Sequence, residues 1–199
     1  EAVISTTGEM AKLAEIIQPT VGILTNIGTA HDAGFSSKEE KIQEKLKLFE
    51  NCKTFIYSDK YGIENFSLSP NTSIVSFGES DNASIKIKHK EIKNKHTVLE
   101  IEFPQNASTR TVLTIPFTDD ASVENTMHCV VAMLQLGYTI EIIQQKRMAL
   151  RNLPMRIELK YGINNCSIID DSYSADFHSL QIALDFFNQQ ETHKKKTLI

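Results

Sequence analysis

The stretch Thr25-Asn26-Ile27-Gly28-Thr29-Ala30-His31-Asp32-Ala33-Gly34-Phe35 is the part of the chain best suited to do chemistry. It follows an apolar run, Thr20–Asn26, that fits a buried parallel strand. It therefore falls at the carboxyl end of a parallel sheet, the edge where open α/β sheets bind ligands. His31 can coordinate a metal there through a neutral imidazole nitrogen, or it can make an ordinary loop hydrogen bond. Downstream, Ile42, Leu46 and Phe49 form the apolar stripe of a helix, and Lys45 lies in the same arc, unlike Lys38 and Lys47. A lysine near a buried face snorkels, pairs or loses its charge. A neutral, desolvated amine is nucleophilic and can take up carbon dioxide, giving a carbamate that ligates metals as a carboxylate does.

Other residues are candidates by position. Glu1 stands at a strand end before a helix, where carboxylates often hold magnesium; the alternative is a solvated residue. Asn125 is expected in the first turn of a helix behind Ser122 as N-cap, where a capping or surface role competes with ligand contact. Asp170 and Asp171 end a strand, which suits either a polar turn or a ligand. No G-x-x-x-x-G-K-[ST] occurs in the chain, and an ATP user of this kind needs that loop to cradle phosphates. Its absence argues either against ATP chemistry or for truncation; the chain begins with Glu1 rather than Met and ends in a strand-like Thr197-Leu198-Ile199, so both ends are expected to be cut, which favours truncation.

The elements that must hold these residues follow from periodicity. Ala2–Ser5 reads as a strand end, Gly8–Ile17 as a helix stopped by Pro19, and Lys38–Asn51 as a helix capped by Ser37, with Glu39 and Glu40 in its first turn. Strands are predicted at Thr54–Ser58 and Ser73–Phe77, so the first half reads as βαβ units around a parallel sheet. Ser84–Lys88, His96–Phe103 and Thr109–Phe117 alternate apolar and polar residues and read as a small antiparallel sheet with one wet face. Helices are predicted at Val123–Leu136 and Ile140–Asn152, with Gly137 as the C′ residue between them. A boundary near Leu153–Arg156 separates residues 1–154 from 155–199, where a strand at Cys166–Asp171, a helix at His178–Gln190 and a strand from Lys196 suggest a fresh βαβ unit. The fold class is α/β.

Composition narrows the classes. The chain has 199 residues, 41% hydrophobic and 23% charged, enough for one domain and part of another. A net charge of −4 without a basic block argues against nucleic-acid binding. Three scattered cysteines, Cys52, Cys129 and Cys166, point to reduced thiols and a cytoplasmic setting. No apolar run approaches the ~20 residues of a membrane span, and no signal peptide is visible.

Taken in order, several segments resemble the Mur ligases. They are Glu1–Ser5 with Gly8-Glu9-Met10; Pro19–Gly28 with Ala30-His31 and Gly34-Phe35; Glu44–Phe49; Glu124-Asn125; Leu153-Pro154 to Arg156; and Ile169–Tyr173. Gly8–Phe35 is the specific block, and the later segments gain weight by keeping the family order. Within the family the resemblance is strongest to the branch that adds D-alanyl-D-alanine, and the texture is also similar to versions fused to alanine racemase. The resemblance implies a P-loop-NTPase-like central domain over 1–154 and the start of a Rossmann-like C-terminal domain over 155–199. It implies an ATP- and Mg2+-dependent ligase joining UDP-N-acetylmuramoyl-tripeptide to D-alanyl-D-alanine through an acyl phosphate, with the present chain alone inactive. By motif match Glu1, His31 and a carbamylated Lys45 would serve magnesium, with His31 and Lys45 also catalytic. Asn125 would meet adenine, Arg156 the phosphates, and Asp171 the nucleotide. Departures are Val3 where glycine is common, Ala121-Ser122 for the usual His-Asn, and Ser174-Ala175-Asp176-Phe177 for Asn-Ala-Asn-Pro. Rival readings are another Mur ligase, a folylpolyglutamate synthase-like ligase, or a non-catalytic nucleotide-fold interaction module.

Overall fold

A computed structural model describes residues 2, 4–28, 34–63, 68–103, 110–151, 157–173, 177–190 and 195–197. It divides into two compact units, Glu1–Ala149 and Leu150–Ile199.

The first unit is built on one six-stranded sheet in the order β1 (Val21–Leu24), β2 (Thr54–Ser58), β3 (Ser73–Gly78), β4 (Ile85–Lys93), β5 (His96–Glu102) and β6 (Arg110–Ile115). β1, β2 and β3 pair in parallel, as the apolar runs require. β4 touches β3 in parallel over two residue pairs and then runs antiparallel with β5, which pairs antiparallel with β6. The three alternating segments thus extend the parallel sheet edge to edge. The wet face expected for them is present: along β5, Thr97, Leu99 and Ile101 are buried while the residues between them are partly exposed.

Helices cover both faces of this sheet. Period-two alternation in β2 sends Phe55 and Tyr57 to one face and Ile56 to the other. On the first face they meet Met10 of α1 (Glu9–Ile17) and Ile42 and Leu46 of α2 (Lys38–Lys47), with Phe49 just beyond. On the second, Leu99, Ile101, Leu113 and Ile115 pack with Val123, Met127 and Val131 of α3 (Asp120–Gln135) and Ile143 of α4 (Ile140–Lys146).

Several boundaries differ from expectation for visible reasons. α2 ends at Lys47 rather than Asn51, because the amides of Leu48, Phe49 and Glu50 reach back three residues and tighten the last turn. α3 starts at Asp120, and its N-cap is Asp119, whose carboxylate accepts the Ser122 amide at 2.7 Å. Ser122 is therefore not the cap, and Asn125 sits in the second turn rather than the first. Gly137 does close α3: with φ +87° it lets its own amide bond Leu134 and the Tyr138 amide bond Met133, both at 3.0 Å, which is a Schellman motif. α4 gives way to a 3₁₀ turn at Arg147–Ala149.

In the second unit, β7 (Glu158–Tyr161) and β8 (Ser167–Asp170) form an antiparallel pair, followed by α5 (Phe177–Gln189). β7 was not foreseen, and the described partner of β8 is this hairpin strand rather than a parallel neighbour. Asn164 and Asn165, both at positive φ, make the reversal. Residues 195–197 carry no strand, and 198–199 lie outside the described residues.

Candidate functional site

The site is assembled around α2. Ser37 caps the helix through a 3.1 Å bond from the Glu40 amide, and the Glu40 carboxylate accepts the Ser36 amide at 2.6 Å. That reciprocal pair fixes where the loop ends and the helix begins. Lys41 and Lys45 then project from the helix toward the Asn26–Gly28 backbone, and Glu44 toward the start of α1.

Lys45 is partly buried, and its Nζ donates to the Asn26 carbonyl at 3.3 Å. Burial, and then the neighbouring Lys41 charge, lower the amine below its ordinary value of 10.5. Lys41, only 3% exposed, donates to the Gly28 carbonyl at 2.7 Å. The sequence reading passed over Lys41, although it lies one turn before Lys45 on the same side of the helix. Glu44 is 1% exposed and accepts the Gly8 amide at 2.7 Å, the Met10 amide at 3.2 Å and the Lys47 ammonium at 2.6 Å. Burial opposes its ionisation, but the Lys47 ammonium and the Met10 and Gly8 amides outweigh it and hold the carboxyl below its ordinary value. Gly8 is the N-cap of α1 and has no side chain to offer, so Glu44 supplies the anion that the helix start favours.

Gly34 completes the frame. A Cβ there would lie 1.9 Å from the Ser5 carbonyl oxygen, so only glycine permits the close approach. The segment entering the loop (Asn26–Gly28), the segment leaving it (Gly34–Ser37) and the start of α1 are therefore gathered on one side of α2. Glu1 and His31 lie outside the described residues. Arg156 also lies outside them. Among the described residues no group of three His, Cys, Asp or Glu side chains is placed to hold a metal.

Asn125 is exposed on α3. In the second unit, Asp171 is partly buried and accepts the Ile157 amide at 3.0 Å. Its neighbour Asp170 accepts Lys160 at 2.7 Å and both the amide and hydroxyl of Ser172, and these bonds hold its carboxyl down to about 2. Asp170 is thus committed to the turn after β8. Among the described residues no helix is long and apolar enough to cross a membrane.

Comparison with known proteins gives the family and the fold. The Mur ligase middle domain matches residues 1–133. The UDP-N-acetylmuramoyl-tripeptide–D-alanyl-D-alanine ligase of Rickettsia prowazekii is 28% identical over 96% of this chain and 44% of its own length. The enzyme of the same name from Bacillus subtilis is 25% identical over 98% of this chain and 42% of its own. The chain thus spans less than half the length of these relatives. Among solved structures, MurF from Acinetobacter baumannii superposes with a TM-score of 0.78 at 22% identity, covering 94% of this chain and 41% of that one. MurF from Thermotoga maritima, in complex with ADP, gives 0.73 at 20% identity over 92% and 42%. The strand order, the helices on both faces and the match over two thirds of the chain lead to one conclusion: this chain belongs to the Mur ligase family.

Proposed function

We propose that the whole protein is an ATP-dependent amide ligase that joins D-alanyl-D-alanine to UDP-N-acetylmuramoyl-tripeptide in the cytoplasm, in peptidoglycan precursor synthesis. ATP phosphorylates the terminal carboxylate of the tripeptide. The dipeptide amine attacks the acyl phosphate, and phosphate leaves from a tetrahedral intermediate. Residues 1–154 supply part of the central ATP-binding domain, and 155–199 the beginning of the C-terminal domain. The names of the two curated relatives support the acceptor, and their length leaves room for the phosphate loop this chain does not contain.

The observation that carries the reading is the environment of Lys45. Its desolvated amine sits beside the Lys41 ammonium, which disfavours a second cation and would favour an anion in its place. A carbamate on Lys45 meets that demand, and its oxygens suit Mg2+. Glu1 and His31 would complete the ligand set, with the metal offsetting phosphate charge when bound. Asn125, exposed on α3, is available to adenine, and Arg156 and Asp171 would serve the nucleotide. The ADP in the Thermotoga maritima structure supports a nucleotide as substrate.

Lys45→Ala in the whole protein is expected to lower ligase turnover by about two to three orders of magnitude, with partial recovery on adding short carboxylates such as acetate. Wild-type rates in that variant would remove the carbamate role. The 199-residue chain alone is expected to show no ATP turnover, and detectable turnover by it would contradict the division of the site assumed here.

A further inference from the structure

Ladder pairing of β1 ends at Leu24, and the backbone then leaves the sheet as Thr25–Gly28. A surface segment normally gives its carbonyls to water. Here side chains from three other parts of the fold take them in turn. His128 of α3 meets the Leu24 carbonyl through Nε2 at 2.9 Å. Tyr61, in the turn after β2, donates its hydroxyl to the Thr25 carbonyl at 3.4 Å. Lys45 and Lys41 hold Asn26 and Gly28, as described above. His128 is 3% exposed, and burying a polar ring at that depth is unfavourable unless it is hydrogen-bonded.

The geometry of the ring is specific. Its Nδ1 lies 3.0 Å from the Glu124 carbonyl, which is inside α3 and already serves the helix ladder. Both ring nitrogens thus face carbonyls, and because the Glu124 carbonyl already accepts inside α3, the tautomer assigned to the neutral ring places its proton on Nε2, toward Leu24. Phe77 of β3 packs against the imidazole edge to face, with centroids 4.7 Å apart, and restricts its rotation. The charged groups near the ring are the Glu124 carboxylate and its ion-pair partner Lys60.

We propose that His128 is a positioning residue of the candidate site: by donating Nε2–H to the Leu24 carbonyl, it fixes where and in which direction Thr25–Gly28 leaves the sheet, and so where Lys45 and Lys41 find their carbonyl partners. His128 lies on the opposite face of the sheet from α2 and acts only through the backbone of β1. The catalytic consequence rests on the ligase reading above; the hydrogen bond does not.

The test compares His128→Gln, whose amide can still donate, with His128→Leu, which fills the space without a donor. Both are made in the whole protein, with kcat and KM for Mg-ATP measured per folded molecule. His128→Leu is expected to lose about tenfold to a hundredfold in kcat with a raised KM, and His128→Gln to stay within about threefold of wild type. A merely structural role would lower the thermal midpoint and leave both constants of the folded fraction unchanged; that result, or equal losses in both variants, overturns the proposal. A second measurement needs neither activity nor a variant. In the unmutated, isotope-labelled protein, NMR is expected to show a slowly exchanging Nε2–H coupled through the hydrogen bond to the Leu24 carbonyl carbon. A ring protonated on Nδ1 alone, or no such coupling, overturns the proposal even if the ligase reading stands. The coupling without ligase activity would refute that reading alone.

Discussion

At the scale of single residues, the fold tolerates polar groups in its interior only where each has a defined partner. Glu44 is the clearest case, because one carboxylate satisfies two main-chain amides and an ammonium while almost fully buried. Glu44→Ala is expected to cost about 3 kcal/mol, read from urea unfolding, since it leaves the Gly8 and Met10 amides without their acceptor. His128 sets a pH dependence. Burial lowers its pKa from the ordinary 6.5, against the pull of the two carbonyls. Between the lowered value and 6.5 the unfolded chain binds more protons than the folded one, so stability rises with pH through that window and falls on acidification. Glu44 contributes in a lower window: its depressed pKa gives stability above about 4.5 that is lost as pH falls through the folded value. Unfolding midpoints between pH 7 and 5 are expected to decline, and the decline is expected to flatten in His128→Gln. An unchanged slope in that variant would exclude His128 as its source.

At the scale of elements, the frame depends on close backbone approach as much as on side chains. Gly34→Ala drives a methyl group into the Ser5 carbonyl and is expected to cost roughly 1–3 kcal/mol, measurable as a lower thermal midpoint, with a loss of ligase turnover in the whole protein. Much of this layer was legible in the sequence. The apolar runs gave β1, β2 and β3, and the Ser37 cap and the Gly137 stop were marked by residue types that act locally. What escaped was non-local. Asp119 competes with Ser122 for the cap through a geometry that letters do not reveal, and this moved Asn125 back a turn. β7 was missed because Glu-Leu-Lys-Tyr is short and half-exposed, and its pairing depends on the asparagine turn that follows. Lys45 was found by its place beside the apolar stripe, and Lys41, one turn earlier, was within reach of the same argument, whereas Glu44 is buried by contacts with α1 that no helical period announces. His128 lies among apolar residues of α3, and its partner is a carbonyl 104 positions away.

At the scale of the whole molecule, the first unit is a Mur ligase middle-domain sheet with helices on both faces, and the family match covers residues 1–133. The acceptor substrate is the point at which the family branches: enzymes named for L-alanine and for D-glutamate addition also match this chain, at 25% and 23% identity. The most direct measurement is therefore acceptor choice. The whole protein, given ATP, Mg2+ and UDP-N-acetylmuramoyl-tripeptide, is assayed for phosphate release while D-alanyl-D-alanine, L-alanine and D-glutamate are supplied in turn, with the product weighed by mass spectrometry. Phosphate release that requires D-alanyl-D-alanine and yields the UDP-linked pentapeptide is the expected result. Release with one of the single amino acids in its place, or no ligated product with any of them, would contradict it.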